Sequence, residues 1–279
     1  MAEPALHIEP QANVEPSHRQ TVTRVPESGE SAVVGREIAN EVAAAIEFDG
    51  SPYAVMMVSP ADLEDFAVGF ALAERIVSAP EEIARIDIRY GTRGIGIDLR
   101  LEQEHSARLA ERRRALPGQS GCGLCGISTI EEALPQLPLL SSAPRLSREA
   151  VFAALNGLPE LQVLNRATAA VHAAAFCRSD GTISAVREDV GRHNAFDKLI
   201  GHLARGHHDL SAGFALLTSR CSYELVQKAV LAGIAALVTV SAPTELAVEI
   251  ARASNLTLIA LARRDSFLAF NDPFNSIVK

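Results

Sequence analysis

The chain predicts an α/β fold, with a parallel βαβαβ unit in its C-terminal half and a smaller α+β part before it. Apolar runs at 214–218, 236–240 and 256–262 read as strands, and helical patterns at 223–231 and 246–253 fall between them. Strands alternating with helices over such short connections imply right-handed parallel βαβ units. With 279 residues, 48% hydrophobic and 22% charged, the chain can bury a sizeable core, and neither a disordered nor a fibrous protein has this composition. No apolar run reaches the roughly 18 residues a bilayer demands. No basic stretch followed by an apolar core opens the chain, so a cytoplasmic protein without membrane contact is expected. A net charge of −8 argues against nucleic acid as a partner. Four cysteines in a chain this long do not make a disulfide scaffold.

Taken in order, residues 1–31 scatter Pro4, Pro10, Pro16 and Pro26 among acidic side chains with no hydrophobic period, which predicts a flexible leader and order beginning near Val33. The α+β part spans 32–102. Within it, 55–58 reads as a short buried strand, and Ser59 is expected to cap a helix with Pro60 at its first position and Asp62 in its first turn. Leu63, Phe66, Ala67, Phe70 and Ala71 recur at helical spacing, so that helix lays one face on a core. Residues 83–101 alternate weakly and predict one or two strands around 91–96. In 103–126, Arg108, Arg112, Arg113 and Arg114 outnumber Glu104 and Glu111 and run into Gly118, Gly121, Gly123 and Gly126, the composition of a mobile basic loop.

The α/β core is expected over 127–279. Ser128 and Glu131 form a capping box for a short helix that stops at Pro135, and Pro135, Pro138 and Pro144 make a stiff connector. Ser147 starts the next helix, with Gly157 and Pro159 as its stop. Residues 169–176 and 182–187 flank the turn Ser179-Asp180-Gly181 and read as a hairpin. A helix over 192–204 then places Phe196, Leu199, Ile200 and Leu203 on one face, with Gly206 behind it.

In a parallel sheet the carboxyl ends of the strands open on one edge, where ligands bind. That rule gathers three distant segments: Ser219-Arg220-Cys221-Ser222, Ser241-Ala242-Pro243-Thr244, and Arg263-Arg264-Asp265-Ser266. Arginines and hydroxyls beside helix N-termini suit a phosphate-bearing ligand; singly, the serines need do no more than cap helices. Glycine-rich Walker and Rossmann cradles are absent from the sequence. Cys122-Gly123-Leu124-Cys125 is the chemically loudest motif. Preceding arginines and a capped helix start just after Cys125 both favour thiolate, and a reachable thiolate can carry sulfur as a persulfide or exchange disulfides. A four-cysteine zinc site would want a second paired motif, whereas Cys177 and Cys221 stand singly and read as small buried hydrophobes. A thioredoxin-like site would place the pair after an early strand. His172 sits in a His-Ala-Ala triplet, where a zinc deaminase would carry glutamate at Ala174. Between a strand and a helix, residues 188–194 (Glu-Asp-Val-Gly-Arg-His-Asn) offer an acid, a guanidinium, an imidazole and an amide together, with Asp189 and His193 placed to orient a ligand or, in Asp189's case, to cap the helix.

Residues 187–195 followed by Asp197-Lys198, the cysteine loop 121–126, and the segments 63–70, 220–224 and 241–244 stand in the order of the FdhD family of formate dehydrogenase accessory sulfurtransferases, which the chain resembles over about residues 33–270. The chain departs from the family at Thr168-Ala169-Ala170, where members show T-G-G, and at Arg263-Arg264-Asp265, which lacks their glycine. The resemblance implies a cytidine-deaminase-like fold without zinc, in a homodimer. It implies a sulfurtransferase that takes sulfur from a cysteine desulfurase and delivers it to the molybdenum (or tungsten) bis-guanine-dinucleotide cofactor, as formate dehydrogenase activity requires. Cys122 would then be the persulfide carrier, with Cys125 assisting. Leu261, Ala262, Arg263, Arg264, Asp265 and Ser266 would contact the cofactor, which the sheet-edge argument extends to Arg220 and Thr244, with His193 and Asp189 orienting it. A cofactor-binding insertion chaperone without sulfur transfer is the alternative.

Overall fold

The computed structural model describes residues 14–102 and 136–278. The start of the leader, the cysteine loop with Cys122 and Cys125, and the Ser128–Glu131 capping box lie outside the described residues. No described helix is long and apolar enough to cross a membrane.

Order begins well before Val33. β1 (Ser17–Arg24) and β2 (Ala32–Ala39) pair antiparallel in full register, from Ser17 opposite Ala39 to Arg24 opposite Ala32. Most of both strands is exposed, so no buried face imprints a period on the sequence. The ribbon is held by its ladder, by Asn40 N–H donating to Pro16 O at 2.9 Å, and by Arg36 Nη2 donating to Thr168 O at 3.2 Å.

β3 (Val42–Phe48), β4 (Ser51–Val58), β5 (Ile83–Gly91) and β6 (Gly94–Leu101) form a second sheet in the order β4-β3-β6-β5, in which only β3 and β6 run parallel. α1 (Leu63–Ala73) covers it, packing Phe66, Ala67, Phe70 and Ala71 on Ile46, Phe48, Ile97 and Leu99. Ser59 does not cap this helix. The residue before it is Asp62, in left-handed conformation at φ 53° and making no side-chain cap. Ser59 is drawn away because its N–H, hydroxyl and carbonyl all bond to the α/β core: to Asp189, to Val190 N–H and to Lys198 respectively.

β7 (Leu146–Ser147) leads into α2 (Arg148–Leu161), where Ser147 Oγ accepts from Ala150 N at 3.0 Å as expected. The helix runs through Gly157 and Pro159 instead of stopping there. Pro159 lies in the last turn, where its ring forfeits one backbone bond, and Leu158 stays buried on the sheet. α3 (Val163–Thr168) follows, its first N–H groups at Leu164 and Asn165 both donating to the Glu188 carboxylate, and ends at Ala169 with φ 56°. An alanine in that left-handed position pays a Cβ clash that glycine escapes, so Ala169→Gly is expected to stabilise the protein by up to about 1 kcal/mol. An unchanged or lower midpoint in thermal unfolding would contradict this.

β8 (His172–Arg178), β9 (Ile183–Asp189), α4 (Arg192–Arg205), β10 (Gly213–Leu217), α5 (Tyr223–Ala232), β11 (Ala236–Thr239), α6 (Glu245–Ala253), β12 (Thr257–Ala260) and β13 (Leu268–Asn271) build the main sheet, in the order β13-β12-β11-β10-β8-β9. β10, β11 and β12 are parallel, as the alternation predicts; β8, β9 and β13 add antiparallel pairings. A short β14 (Ile277–Val278) pairs with β7. Both faces of the sheet are covered, and β10 divides its residues between them with a period of two. Ala215 and Leu217 face α4, α5 and α6; Phe214 and Leu216 face α2. The two sheets are joined where α1 crosses α4 through Gly69 and Gly201. A Cβ on Gly69 would lie 1.7 Å from Asp197 O, and one on Gly201 would lie 1.9 Å from Asp65 O.

Candidate functional site

The carboxyl ends of β10, β11 and β12 open on one edge. Because β8 runs against β10 and β9 against β8, β8 begins and β9 ends on that same edge. The three distant segments therefore do meet. Cys221 bridges to Pro243, Thr244 N–H donates to Cys221 O at 3.0 Å, and Leu261 N–H donates to Ser241 O at 3.2 Å. Arg220, Thr244, Arg263, Arg264, Asp265 and Ser266 all stand exposed there. Thr244 Oγ1 caps α6, accepting from Ala247 N at 3.3 Å, and Arg263 N–H donates to Ser266 O, closing a tight turn. Leu261 reaches the turn with φ 51°, whereas the Ala262 side chain is fully buried in the core beneath it, leaving only its backbone at the edge.

Asp189 lies beneath this surface. It is fully buried and its oxygens are taken: Lys198 Nζ stands at 2.7 Å, Ser59 N–H donates to it at 2.9 Å, Gly191 N–H at 2.8 Å and Asn194 Nδ2 at 3.0 Å. Its carboxylate thus shapes the 190–194 turn from within and ties that turn to the α+β part through Ser59. His193 sits at the start of α4, with Nε2 3.1 Å from Glu224 Oε2 on α5. Burial, with Lys228, Arg192 and His172 adding, pushes the His193 imidazole down to about 3, so the ring is neutral at physiological pH. His172, paired with Asp189 across the β8–β9 ladder, is also pushed down, first by burial and then by Arg192. Asp197 is fully enclosed, and burial raises its pKa against the opposing pull of Lys228, whose Nζ meets both its oxygens at 2.5 and 2.7 Å. Sequence reasoning singled out His193 and Asp189, took Arg192 and Ser222 only as parts of the polar stretches 188–194 and 219–222, and quoted Glu224 only within the segment 220–224.

Cys177 and Cys221 are fully buried, as expected of small hydrophobes, and burial pushes both thiols up to about 12. The chain passes out of the described residues at Glu102, whose N–H donates to Glu82 O, and returns at Gln136, with Leu140 N–H bonded to Ser254 O at the end of α6. A cavity of about 340 Å³ opens between α1, α4 and α5, walled by Leu72, Ile200, Leu203 and Ile234 and reaching inward to Lys228.

A sequence model of the FdhD/NarQ family matches residues 39–276. The chain is 43% identical over 265 residues to the sulfur carrier protein FdhD of Xanthomonas campestris pv. campestris (strain B100), covering 95% of this chain and 94% of that one. It is 45% identical over 237 residues to the protein of the same name from Variovorax paradoxus (strain S110), covering 85% of each. Among solved structures, a crystal structure from Desulfotalea psychrophila, provisionally described as a formate dehydrogenase accessory protein, superposes with a TM-score of 0.72 at 23% identity. It covers 94% of this chain and 99% of its own, and confirms the mixed α/β fold. The order of the motifs, the edge on which they converge and these matches lead to one conclusion: the chain belongs to the FdhD/NarQ family.

Proposed function

We propose that the protein is a sulfurtransferase that takes sulfur from a cysteine desulfurase as a persulfide on Cys122. It delivers that sulfur to the molybdenum (or tungsten) bis-guanine-dinucleotide cofactor destined for formate dehydrogenase. The observation that carries this reading is the state of the other thiols. Cys177 and Cys221 are fully buried and pushed up to about 12, so neither offers a reachable thiolate, and the Cys122–Cys125 pair remains for the sulfur carriage named in the relatives. In the loading step the Cys122 thiolate attacks the outer sulfur of the desulfurase persulfide. One S–S bond forms as the other breaks, and the donor cysteine leaves as a thiolate, so no oxidant is needed.

The dinucleotide is assigned to the edge formed by Arg220, Thr244, Arg263 and Arg264, with His193 reading it as a neutral ring and Asp189 acting from beneath through Gly191 and Asn194. Cytoplasmic location and a homodimer belong to the same proposal. So does a cytidine-deaminase-like core, supported by the strand run β9-β8-β10-β11-β12 with its last three strands parallel.

Intact-mass spectrometry after incubation with a cysteine desulfurase and L-cysteine tests the proposal. Wild type, Cys177→Ala and Cys221→Ala are expected to gain sulfur and Cys122→Ala to gain none. A wild type that gains no sulfur while binding the cofactor would replace this reading with an insertion chaperone.

A further inference from the structure

Where α1 crosses α4 backbone to backbone at Gly69 and Gly201, charged side chains from three elements gather around one imidazole. From α1 come Asp62, Glu64 and Asp65, from β9 Arg187, and from α4 His202 and Arg205. Just beyond α4, the His208 ring lies 5.3 Å from that of His202. The turn at Pro80–Glu82 also packs on α4, but its Glu81 faces His207, at 3.6 Å.

Asp65 is the acceptor at the centre of the cluster. It is buried, and one of its oxygens takes Arg187 Nε at 2.9 Å and Nη2 at 2.7 Å, while the other takes Arg205 Nη1 at 2.5 Å. Glu64 receives the other arm of Arg205, and Asp62 stands 3.7 Å from Arg187 Nε. Arg187 Nη2 spends its second proton on His202, whose Nδ1 lies 2.8 Å away. A guanidinium only donates, so Nδ1 is the accepting nitrogen and the ring proton sits on Nε2. The bond therefore requires a neutral His202. Burial and then Arg187 hold this imidazole below its ordinary range, with His208 adding, against the opposing pull of Asp65 and Asp62.

A proton can enter the ring only at Nδ1. There it turns an acceptor into a donor and sets an imidazolium against a guanidinium at 2.8 Å. The acceptor within reach of that new donor is Asp65 Oδ2, at 3.6 Å, which Arg187 already holds. His202 directly follows Gly201, where the two helices touch through backbone atoms, so a small slide of one helix does not make room. The ring has to take Asp65 from Arg187 or swing out of the cluster.

We propose that His202 is an acid-sensitive latch on the joint between the α+β part and the α/β core. Protonating it releases Arg187 and loosens the crossing of α1 and α4. The device is independent of the function proposed above, since it needs only the joint.

The ring and its partner are read by ¹H–¹⁵N NMR. His202 is expected as the Nε2–H tautomer at neutral pH and half-protonated only below about 6.5, with the Arg187 Nε–H signal moving at the same midpoint. Stability gives a second readout. A histidine pKa lower in the fold than in the unfolded chain lets the unfolded state bind more protons, so the contribution of His202 is complete above about pH 6.5 and is lost as pH falls through it. His202→Asn sets an acceptor oxygen where Nδ1 stands and does not titrate. In urea unfolding from about pH 7.5 to about 5.5, wild type is expected to lose ground to this variant. The loss is up to about tenfold in the folding equilibrium constant per pH unit below the unfolded value. His172 and His193, also pushed down by burial, are present in both proteins and cancel. Parallel pH profiles, a His202 that titrates at or above 6.5, or an Arg187 signal that stays put while His202 titrates would each overturn the latch. If His202→Asn does not fold, the titration of wild type decides alone.

Discussion

Gly201→Ala is expected to destabilise the protein by about 3 kcal/mol, at the upper end of what overpacking costs, with Gly69→Ala close behind. Helix propensity alone predicts the opposite sign, since alanine is favoured over glycine by about 1 kcal/mol in a helix interior. The contact decides the outcome. A Cβ on Gly201 would meet the Asp65 carbonyl oxygen at 1.9 Å and one on Gly69 the Asp197 carbonyl oxygen at 1.7 Å, backbone atoms that no rotamer change can move aside. α1 and α4 would have to separate. Those helices also hold the Arg187–Asp65 pair at 2.7 Å and the bonds of Arg205 to Asp65 and Glu64, which tie the two sheets together. Urea unfolding measures the effect. A loss under about 1 kcal/mol for both variants would mean that the helices part freely and that the crossing is not a rigid joint.

Lys198→Met is expected to cost about 3–5 kcal/mol, the range for removing one partner of a buried ion pair. Lys198 and Asp189 are both fully enclosed, 2.7 Å apart, and Lys198 Nζ also donates to Ser59 O at 2.9 Å and Glu188 O at 3.2 Å. Without the ammonium, Asp189 remains a buried carboxylate with only neutral donors around it. Asp189→Asn combined with Lys198→Met should recover part of the loss, since the double variant leaves no unpaired charge. A double variant less stable than the sum of the two single losses would show that packing of the lysine stem, and not charge, sets the cost. The same substitution should loosen Gly191 and Asn194, which Asp189 holds, and with them the start of α4.

Much of the α/β core was legible in the sequence because its strands are buried on both faces and its helices on one. Residues 214–218 are an unbroken apolar run, and Phe196, Leu199, Ile200 and Leu203 repeat at helical spacing. Where burial leaves no pattern, the sequence was silent. β1 and β2 are exposed on most of their surface, so a paired ribbon reads like a leader. Local signals also misled when distant residues competed for the same atoms. Ser59 has the composition of a cap, but Asp189, Val190 and Lys198 claim its polar groups. Pro159 looks like a stop, yet a proline in a last turn forfeits only one bond.

By itself the sequence determined the order and type of the elements from β8 to β12, the convergence of three loops on one sheet edge, and the identity of the only cysteine pair, because period, spacing and composition are local properties. Tertiary structure alone decided which charges are used up. Asp189 and Asp197 meet Lys198 and Lys228 only through packing. The pairing of Asp65 with Arg187, 122 residues apart, depends on how α1 and β9 come together, and no window of sequence contains that information.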